Sequence, residues 1–272
     1  MKVKFFCPRW GSEHLSWEAF FLQVKEAGFD GIEYSIAGNT GRQELDLVWN
    51  YAEKYQLEII PQHYDTNEGD FAKHYNKFAE WFELIKPYHA TLINTQTGKD
   101  FFSFEQNKAL IKFANAQFVD PEIKICHETH RGKFAFAAHI TKEFLTDISE
   151  LKLTLDISHW VNVAESFLED QSEAVDLAIA RTEHIHARVG YPEGPQIPDP
   201  RVSEWQDTLN KHLSWWDKIA ERKKNTNSDL TITTEFGPYP YMVHLPATQQ
   251  PIANQWEVNK FMMDLLKNRY TG

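Results

Sequence analysis

Short runs of β-branched and aromatic residues recur along the chain, and each is followed by a longer stretch in which apolar residues return every three or four positions. Runs of the first kind predict buried strands, and stretches of the second kind predict amphipathic helices. Eight strand candidates follow, at residues 3–6, 31–35, 58–62, 90–95, 123–128, 152–156, 184–188 and 231–235. Eight alternating units predict an α/β fold, a closed (β/α)8 TIM barrel that spans residues 1–272 as one domain.

The predicted helices have clear boundaries. Ser103 and Gln106 have the spacing of a capping box, and Gly28 is typical of a helix end. One apolar stripe ends before a proline and consists of Phe71, Tyr75, Phe78, Phe82 and Ile85. A second stripe consists of Trp205, Leu209, His212, Trp216 and Ile219. Because His212 belongs to this stripe, we expect it to pack in the protein and not to bind a metal.

Composition limits the classes of partner. The chain has 272 residues, 42% of them hydrophobic, which is enough to bury a large core. Its formal charge is -11, from 28 Lys and Arg against 39 Asp and Glu, and this charge disfavours nucleic acid and anionic membranes as partners. The tightest basic group, residues 222–224, lies at the polar end of a predicted helix, where we expect a solvated face.

The sequence also indicates a cellular location. Cys7 and Cys126 both lie in apolar stretches, which favours buried free thiols and a reducing compartment. The amino terminus is too short and too soon interrupted by Pro8 to be a signal peptide, and apolar runs are too short for a membrane span. We therefore expect a cytoplasmic protein. The sequence leaves its oligomeric state open, with the aromatic-rich helices as a candidate interface for a homo-oligomer.

Two long loops follow the last strands, at residues 190–200 and from residue 237 onward. Long ordered loops are often functional, and in a barrel both loops would lie at the carboxyl-end face, where active sites of barrels lie. A proline-stiffened surface loop is the alternative.

Four strand candidates end in acids or in a histidine: Glu128, Asp156, His186 and Glu235. Acidic residues are depleted in strands and are rarely buried without a partner, and neighbouring strands of a barrel bring such ends together. Three converging carboxylates would repel each other unless they were protonated or shared a cation. Oxygen ligands with one imidazole suit Mn2+, Mg2+, Co2+ or Zn2+. The sequence therefore predicts a site for one divalent metal ion.

Five further residues are candidates for contact with a small sugar or sugar derivative. His159 lies three residues after Asp156, where the chain leaves the strand, and Arg188 lies two residues after His186, hence on the same strand face. The other three candidates lie near strand ends and are His63, Trp10 and Trp160. An ion pair or helix cap is the alternative for His159 and Arg188, and core packing is the alternative for the tryptophans.

Several short stretches resemble those of the xylose-isomerase-like sugar isomerase/epimerase superfamily. In chain order they are AGFDGIE at 27–33, HETH at 127–130, LDISH at 155–159, HIH at 184–186 and TEFG at 234–237. The resemblance covers nearly the whole chain, and the Asp-x-x-His step and the terminal Glu are its more specific parts.

The resemblance implies a role for each matching residue. Glu128 and Glu235 would bind the metal and flank the substrate, and Asp156 and His186 would complete the metal ligands. His159 and an arginine near Arg188 would contact substrate oxygens. Since the arginine of that family can lie further along the loop, Arg201 is the alternative to Arg188.

These roles predict a metal-dependent sugar isomerase or epimerase. Removal of a proton beside a carbonyl forms an enediolate, and a divalent cation on two adjacent sugar oxygens lowers the cost of that charge. With Glu128 and Glu235 as the acid/base pair, proton return to the opposite face gives an epimer, and transfer to the next carbon gives an isomer.

Three alternatives stay open. A related lyase or dehydratase would use the same enediolate, and a non-catalytic sugar-binding barrel would keep only the fold. A barrel endonuclease that acts on abasic DNA through several zinc ions resembles the chain around Glu128, Asp156, His159 and Glu235. Such enzymes also carry a histidine at the end of the fourth strand and an Asp-x-His pair after the seventh, and this sequence has neither. The lack of a glycine-rich phosphate loop favours an unphosphorylated sugar.

Overall fold

The computed structural model of the protein describes residues 1–118, 120 and 123–271, so residues 119, 121, 122 and 272 of the predicted domain lie outside the described residues. Eight parallel strands form a closed barrel in which each strand pairs with the next and the eighth pairs with the first. The strands are β1 Val3–Pro8, β2 Gly31–Ser35, β3 Glu58–His63, β4 Leu92–Thr95, β5 Lys124–Glu128, β6 Leu153–Leu155, β7 Thr182–His186 and β8 Leu230–Thr233. The predicted (β/α)8 TIM barrel is confirmed.

Helices surround the barrel and follow its strands in chain order. They are α1 Trp17–Ala27, α2 Arg42–Tyr55, α3 Phe71–Ile85, α4 Phe104–Asn115, α5 Ala138–Asp147, α6 Ile157–Ala164, α7 Ser172–Arg181, α8 Gln206–Asn225 and α9 Gln255–Tyr270. A short 3-10 helix, Ser203–Trp205, precedes α8. Within the described ranges, no helix combines the length and the apolar character needed to cross a lipid bilayer.

The predicted helix boundaries are confirmed. Gly28 ends α1 in the left-handed region at φ 86°, which glycine adopts at little cost. Ser103 and Gln106 form the reciprocal capping box of α4. His212 lies buried in α8, where its Nδ1 contacts Thr208 O at 2.9 Å and its Nε2 accepts a hydrogen bond from Gly190 N. This histidine therefore packs α8 against the start of the loop that follows β7.

The core lies mainly between the barrel and its helices, and a small apolar cluster fills part of the barrel interior. This inner cluster consists of Phe6, Ile60, Leu92 and Cys126. Both cysteines are free and buried, as predicted, and burial raises the pKa of Cys126 to about 12. Nearer the carboxyl ends of the strands, the interior becomes polar, and fully or almost fully buried side chains there include Glu33, Gln62, Asn94, His184 and His186.

The solvated face predicted at residues 222–224 is wrong for Lys223. Its side chain is 1% exposed, and its Nζ lies 2.7 Å from Glu183 Oε2, which Lys124 also contacts. Burial opposes ionisation of Glu183, but the two lysines hold its pKa below the usual range. An ion pair between β7 and α8 therefore replaces the expected contact with solvent.

We expect Glu183→Gln to lower the free energy of unfolding by about 3 kcal/mol, because it leaves the buried Lys223 ammonium without its carboxylate partner. The depressed pKa means that this stabilisation is present above the ordinary carboxylate pKa and is lost as the pH falls through the folded-state value. Urea unfolding at pH 7, followed by tryptophan fluorescence, measures the change. The matched control is Glu173→Gln, whose carboxylate is 82% exposed. Equal unfolding midpoints for the two variants would contradict the expectation.

Candidate metal centre and substrate cavity

Four acids and histidines from neighbouring strands meet at the carboxyl mouth of the barrel. Glu128 ends β5, Asp156 directly follows β6, His186 ends β7, and Glu235 lies two residues beyond β8. One potential ligand atom from each lies within 4.8 Å of the others, and all four residues are buried. The structure thus brings together the four residues proposed as metal ligands.

His186 is oriented by a carboxylate on the far side of its ring. Its Nε2 lies 3.0 Å from Glu33 Oε2, and Glu33 also accepts a hydrogen bond from Asn94 at 2.8 Å. The other nitrogen, Nδ1, lies 2.7 Å from Glu235 Oε2 but has no hydrogen-bond partner among the described residues. Burial alone would lower the pKa of His186, but the carboxylates around it, led by Glu235, raise it well above the usual range. A histidine with one nitrogen held by a carboxylate and the other facing further potential ligands is the usual arrangement of a metal ligand.

Amide side chains surround the carboxylate of Glu128. Gln62 and Asn94 each donate to its Oε2 at 3.1 Å, and Gln96 donates to its Oε1 at 3.2 Å. Burial raises the pKa of Glu128 to about 7, with His186 opposing the shift and the neighbouring carboxylates adding to it. The amides therefore fix the position of a carboxyl group whose ionisation falls near neutral pH.

Arg188 connects two of the four residues. Its guanidinium donates to Asp156 Oδ2, through Nε at 3.1 Å and also through Nη2, and to Glu235 Oε2 at 3.0 Å. His159 accepts from the same Nη2 at 3.3 Å. Burial raises the pKa of Asp156, whereas for Glu235 the attraction of His186 and Arg188 outweighs burial and lowers the pKa. Arg188 is thus an internal partner of these carboxylates as well as part of the cavity wall.

The charges and donor atoms of this cluster fit one divalent cation. Three carboxylates against one guanidinium leave two negative charges uncompensated, since Glu33 lies against His184 and His186. Buried carboxylates need compensation of this kind. The unpartnered Nδ1 of His186 adds a nitrogen donor that faces the same carboxylates.

A cavity of about 790 Å³ opens above the cluster. Glu235 and Arg188 lie in its wall, and so does Trp10, whose ring lies edge-on to Tyr241 with centroids 5.2 Å apart. A Cβ at position 237 would overlap the Trp10 ring, so Gly237 is needed where the chain passes this tryptophan. The remaining residues in the wall are Arg9, Glu13, Leu15, Ser16, Trp17, Tyr34, Ser35, Glu44, Gln62, Tyr64, Gln96 and His130.

Both long loops meet at this mouth. The side chain of Gln196 donates to Gly237 O at 3.2 Å and accepts from Gly237 N at 2.8 Å, which joins the loop after β7 to the loop after β8. Tyr241, from the second loop, reaches the cavity and lies over the guanidinium of Arg188. The mouth is therefore closed on this side by two loops that support each other.

Two expected substrate contacts, His63 and Trp160, and the alternative Arg201 lie outside the cavity. His63 is fully buried, with its nitrogens near Thr66 and Thr95 hydroxyls, and it does not line the cavity. Trp160 is also fully buried, and its indole N–H donates to a backbone carbonyl at 2.9 Å. Arg201, the alternative to Arg188, pairs with Asp199 outside the cavity. His63 and Trp160 pack in the protein because their neighbours satisfy them there.

His159 lies behind the cavity wall and contacts residues that line it. Its ring is fully buried and packs at a tilt against His130 with centroids 3.9 Å apart, and His130 is the member of this pair that lines the cavity. Burial and the nearby cations lower the pKa of His159 well below its usual range. A neutral His159 can thus support Arg188 from behind.

Sequence reasoning missed several residues of the site. Glu33, Gln62 and Asn94 lie within strands, where a buried acid or amide is unusual, and that pattern could have marked them. His130 and Tyr241 lie in loops, and their approach to the cavity depends on loop conformation that no spacing rule specifies.

Comparison with known proteins gives a likeness in fold. No protein-family model matches the sequence, and no curated protein matches it. The probable 3-DHS dehydratase AsbF of Bacillus anthracis, involved in petrobactin synthesis, has a TM-score of 0.60 and 19% identity, covering 99% of this chain and 100% of that one. Endonuclease IV of Thermus thermophilus has a TM-score of 0.60 and 11% identity, covering 98% of this chain and 100% of that one.

A third similar structure is the family 2 AP endonuclease of Brucella melitensis, with a TM-score of 0.54 and 10% identity, covering 87% of this chain and 93% of that one. At such identities the likeness extends to the fold alone. The closed barrel and these three structures show that the chain has a (β/α)8 TIM-barrel fold.

Proposed function

We propose that the protein is a divalent-metal-dependent enzyme that isomerises or epimerises a small sugar by proton transfer beside the carbonyl. The observation that carries this proposal is the convergence of Glu128, Asp156, His186 and Glu235 beneath a cavity of about 790 Å³. A cavity of this size accommodates a monosaccharide with its derivatives. These four residues would hold the cation.

We assign proton transfer to two of the carboxylates. Glu235 lies in the cavity wall, where its oxygens can reach a carbon-bound proton of the substrate. Glu128 lies below the wall, under Gln62 and Gln96, which donate to it and also line the cavity. Proton removal by one carboxylate and return by the other is the chemistry of an epimerase, and a positioned acid/base group speeds such steps about 10²- to 10⁴-fold.

A bound divalent cation would lower the energy of the negative charge that develops on the sugar oxygens. The protein's own residues would supply orientation and exclude water. Arg188, held by Asp156 and backed by His159, presents its guanidinium to the cavity. Trp10 and Tyr241 offer aromatic surface beside it, which suits the apolar face of a sugar ring.

Exchange of carbon-bound hydrogen with solvent tests the proposal. A panel of aldoses and ketoses is incubated with the metal-supplemented protein in heavy water and followed by NMR. We expect at least one sugar to take up deuterium beside its carbonyl and to give an epimer or isomer as product. Loss of water from the sugar would instead indicate a dehydratase. An absence of exchange in every sugar would contradict catalysis and leave a sugar-binding barrel as the alternative.

A nuclease assay tests the alternative that the protein is an endonuclease acting on abasic DNA. The protein is incubated with a duplex that carries an abasic site, and bound zinc is counted by elemental analysis. We expect no nicking, because the end of β4 carries Asn94 and Thr95 in place of a histidine, and the net charge of -11 repels DNA. Nicking together with two or more zinc ions per chain would contradict the proposed sugar enzyme and identify the protein as an endonuclease.

A further inference from the structure

A second arginine besides Arg188 lies in the wall of the cavity. Arg9 directly follows β1, and its backbone N–H donates to Glu33 O at 2.8 Å, which extends the pairing of β1 with β2 at the carboxyl mouth. The residue is 8% exposed, and its guanidinium lies over the rings of Trp17 and Phe20, 4.3 and 4.7 Å from their centroids. The two aromatic rings therefore hold the position of this guanidinium.

The hydrogen bonds of Arg9 are incomplete. Its Nη2 donates to Leu15 O at 2.8 Å, whereas its buried Nη1 has no partner among the described residues. Among the residues that the structure describes, no carboxylate lies close enough to Arg9 to form an ion pair with it. Burial lowers the pKa of Arg9, which reflects the cost of a cation without a close anion. Arginine is rarely buried unless it is paired, so the free Nη1 indicates a binding partner that the chain itself does not supply.

Besides Glu235, two acids line the cavity, and each accepts a hydrogen bond from a donor other than Arg9. Glu13 accepts a hydrogen bond from Gly11 N at 2.9 Å, and Glu44 accepts one from the Tyr34 hydroxyl at 2.8 Å. Both glutamates are exposed to solvent, where charges are well screened. They therefore moderate the positive potential at Arg9 without taking the place of a direct partner.

The amino terminus of α1 adds to the potential at the same wall. Ser16, its N-cap, and Trp17, its first residue, both line the cavity next to Arg9. The eleven residues of α1 give a helix dipole whose positive end lies at this terminus. Helix amino termini favour carboxylates and phosphates, so the dipole and the free guanidinium favour the same kind of ligand.

We propose that Arg9, with the amino terminus of α1, binds an anionic group of the substrate, a carboxylate or a phosphate, at the end remote from the carbonyl. A guanidinium binds either group through charge-assisted hydrogen bonds. The substrate class is then a sugar acid or a sugar phosphate and not a neutral sugar. The location of the carbonyl rests on the proposed function, whereas the preference for an anion rests on Arg9 alone.

Binding measurements with three related hexoses test this proposal. Titration calorimetry with D-glucose, D-glucuronate and D-glucose 6-phosphate gives the affinity of each for the manganese-supplemented protein. We expect at least one anionic hexose to bind about 10- to 100-fold more tightly than D-glucose, as charge-assisted hydrogen bonds do. Arg9→Gln should remove this preference, and Arg9→Lys should retain part of it. The matched control is Arg42→Gln, at an exposed arginine outside the cavity, which should retain all of it.

Each outcome decides the proposal or its form. Tighter binding of D-glucuronate alone identifies a carboxylate site, and tighter binding of D-glucose 6-phosphate alone identifies a phosphate site. Equal affinity for charged and neutral hexoses in the wild type, or a preference that survives in Arg9→Gln, would overturn the proposal. Should circular dichroism show that Arg9→Gln does not fold, the wild-type comparison and Arg9→Lys decide. A lack of hydrogen exchange would refute the proposed function and leave this preference intact, so the two failures are distinguishable.

Discussion

Glu235→Gln is expected to lower the rate of substrate deuterium exchange by about 10³-fold or more while the protein stays folded. The substitution keeps the shape of the side chain and an oxygen that can accept from Arg188, but it removes the basic carboxylate from the cavity wall. The exchange rate is measured by NMR with the sugar that is active in the wild type. Circular dichroism and thermal unfolding show whether the fold is retained.

A surface carboxylate near the same mouth provides the control for this variant. Glu193 lies in the loop after β7, is exposed, and does not line the cavity, so Glu193→Gln should exchange at the wild-type rate. Exchange within tenfold of the wild type in Glu235→Gln would remove Glu235 from the acid/base role. A parallel loss in both variants would point to a general effect of the loop.

Titration of the metal-stripped protein with Mn2+ is expected to show one site per chain that His186→Ala abolishes. Glu33→Gln should weaken binding about 10- to 100-fold, because Glu33 orients the imidazole through its Nε2 without being one of the four proposed ligands. At a free metal concentration 100 times Kd, binding stabilises the native state by about 2.7 kcal/mol, which raises Tm by about 5 °C. Calorimetry measures the affinity, and thermal unfolding measures the stabilisation.

The metal titration needs a control variant with an unchanged metal site. Glu18→Gln changes an exposed carboxylate that pairs with Lys54, and it should leave the affinity unchanged. Affinity should fall as the pH is lowered, since protons compete with the cation for the imidazole and the carboxylates. Wild-type affinity in His186→Ala would show that the cation lies elsewhere.

The fold could be predicted almost completely from the sequence. The pattern of hydrophobic residues shows which positions are buried, and runs of buried positions mark the strands. Each of the eight predicted strands overlaps an observed one, with boundaries that differ by a few residues. The largest difference in a site strand is at β7, which spans Thr182–His186 whereas the prediction is 184–188. Strand ends depend on hydrogen bonds to the neighbouring strands, and these bonds leave no mark on the hydrophobic pattern.

The residues of the site were predictable where chemistry and strand position coincide. Glu128, Asp156, His186 and Glu235 stood out because charged groups at strand ends have few structural explanations. His63 and Trp160 could not be assigned in the same way, since a polar aromatic side chain at a strand end or in the helix that follows can face the cavity or pack beneath it. Lys223 was misassigned because its partner Glu183 lies forty positions away and belongs to another element.

The two halves of the barrel contribute different residues to the candidate metal site. The four proposed metal ligands all lie at the ends of β5 to β8, the second half of the barrel, whereas Glu33, Gln62 and Asn94, which contact His186 and Glu128, come from β2 to β4. A half-barrel of β5 to β8 would therefore contain every proposed ligand but lack the side chains that orient His186 and Glu128. A tight metal site would therefore need the complete barrel, which would couple ion binding to folding of the whole domain.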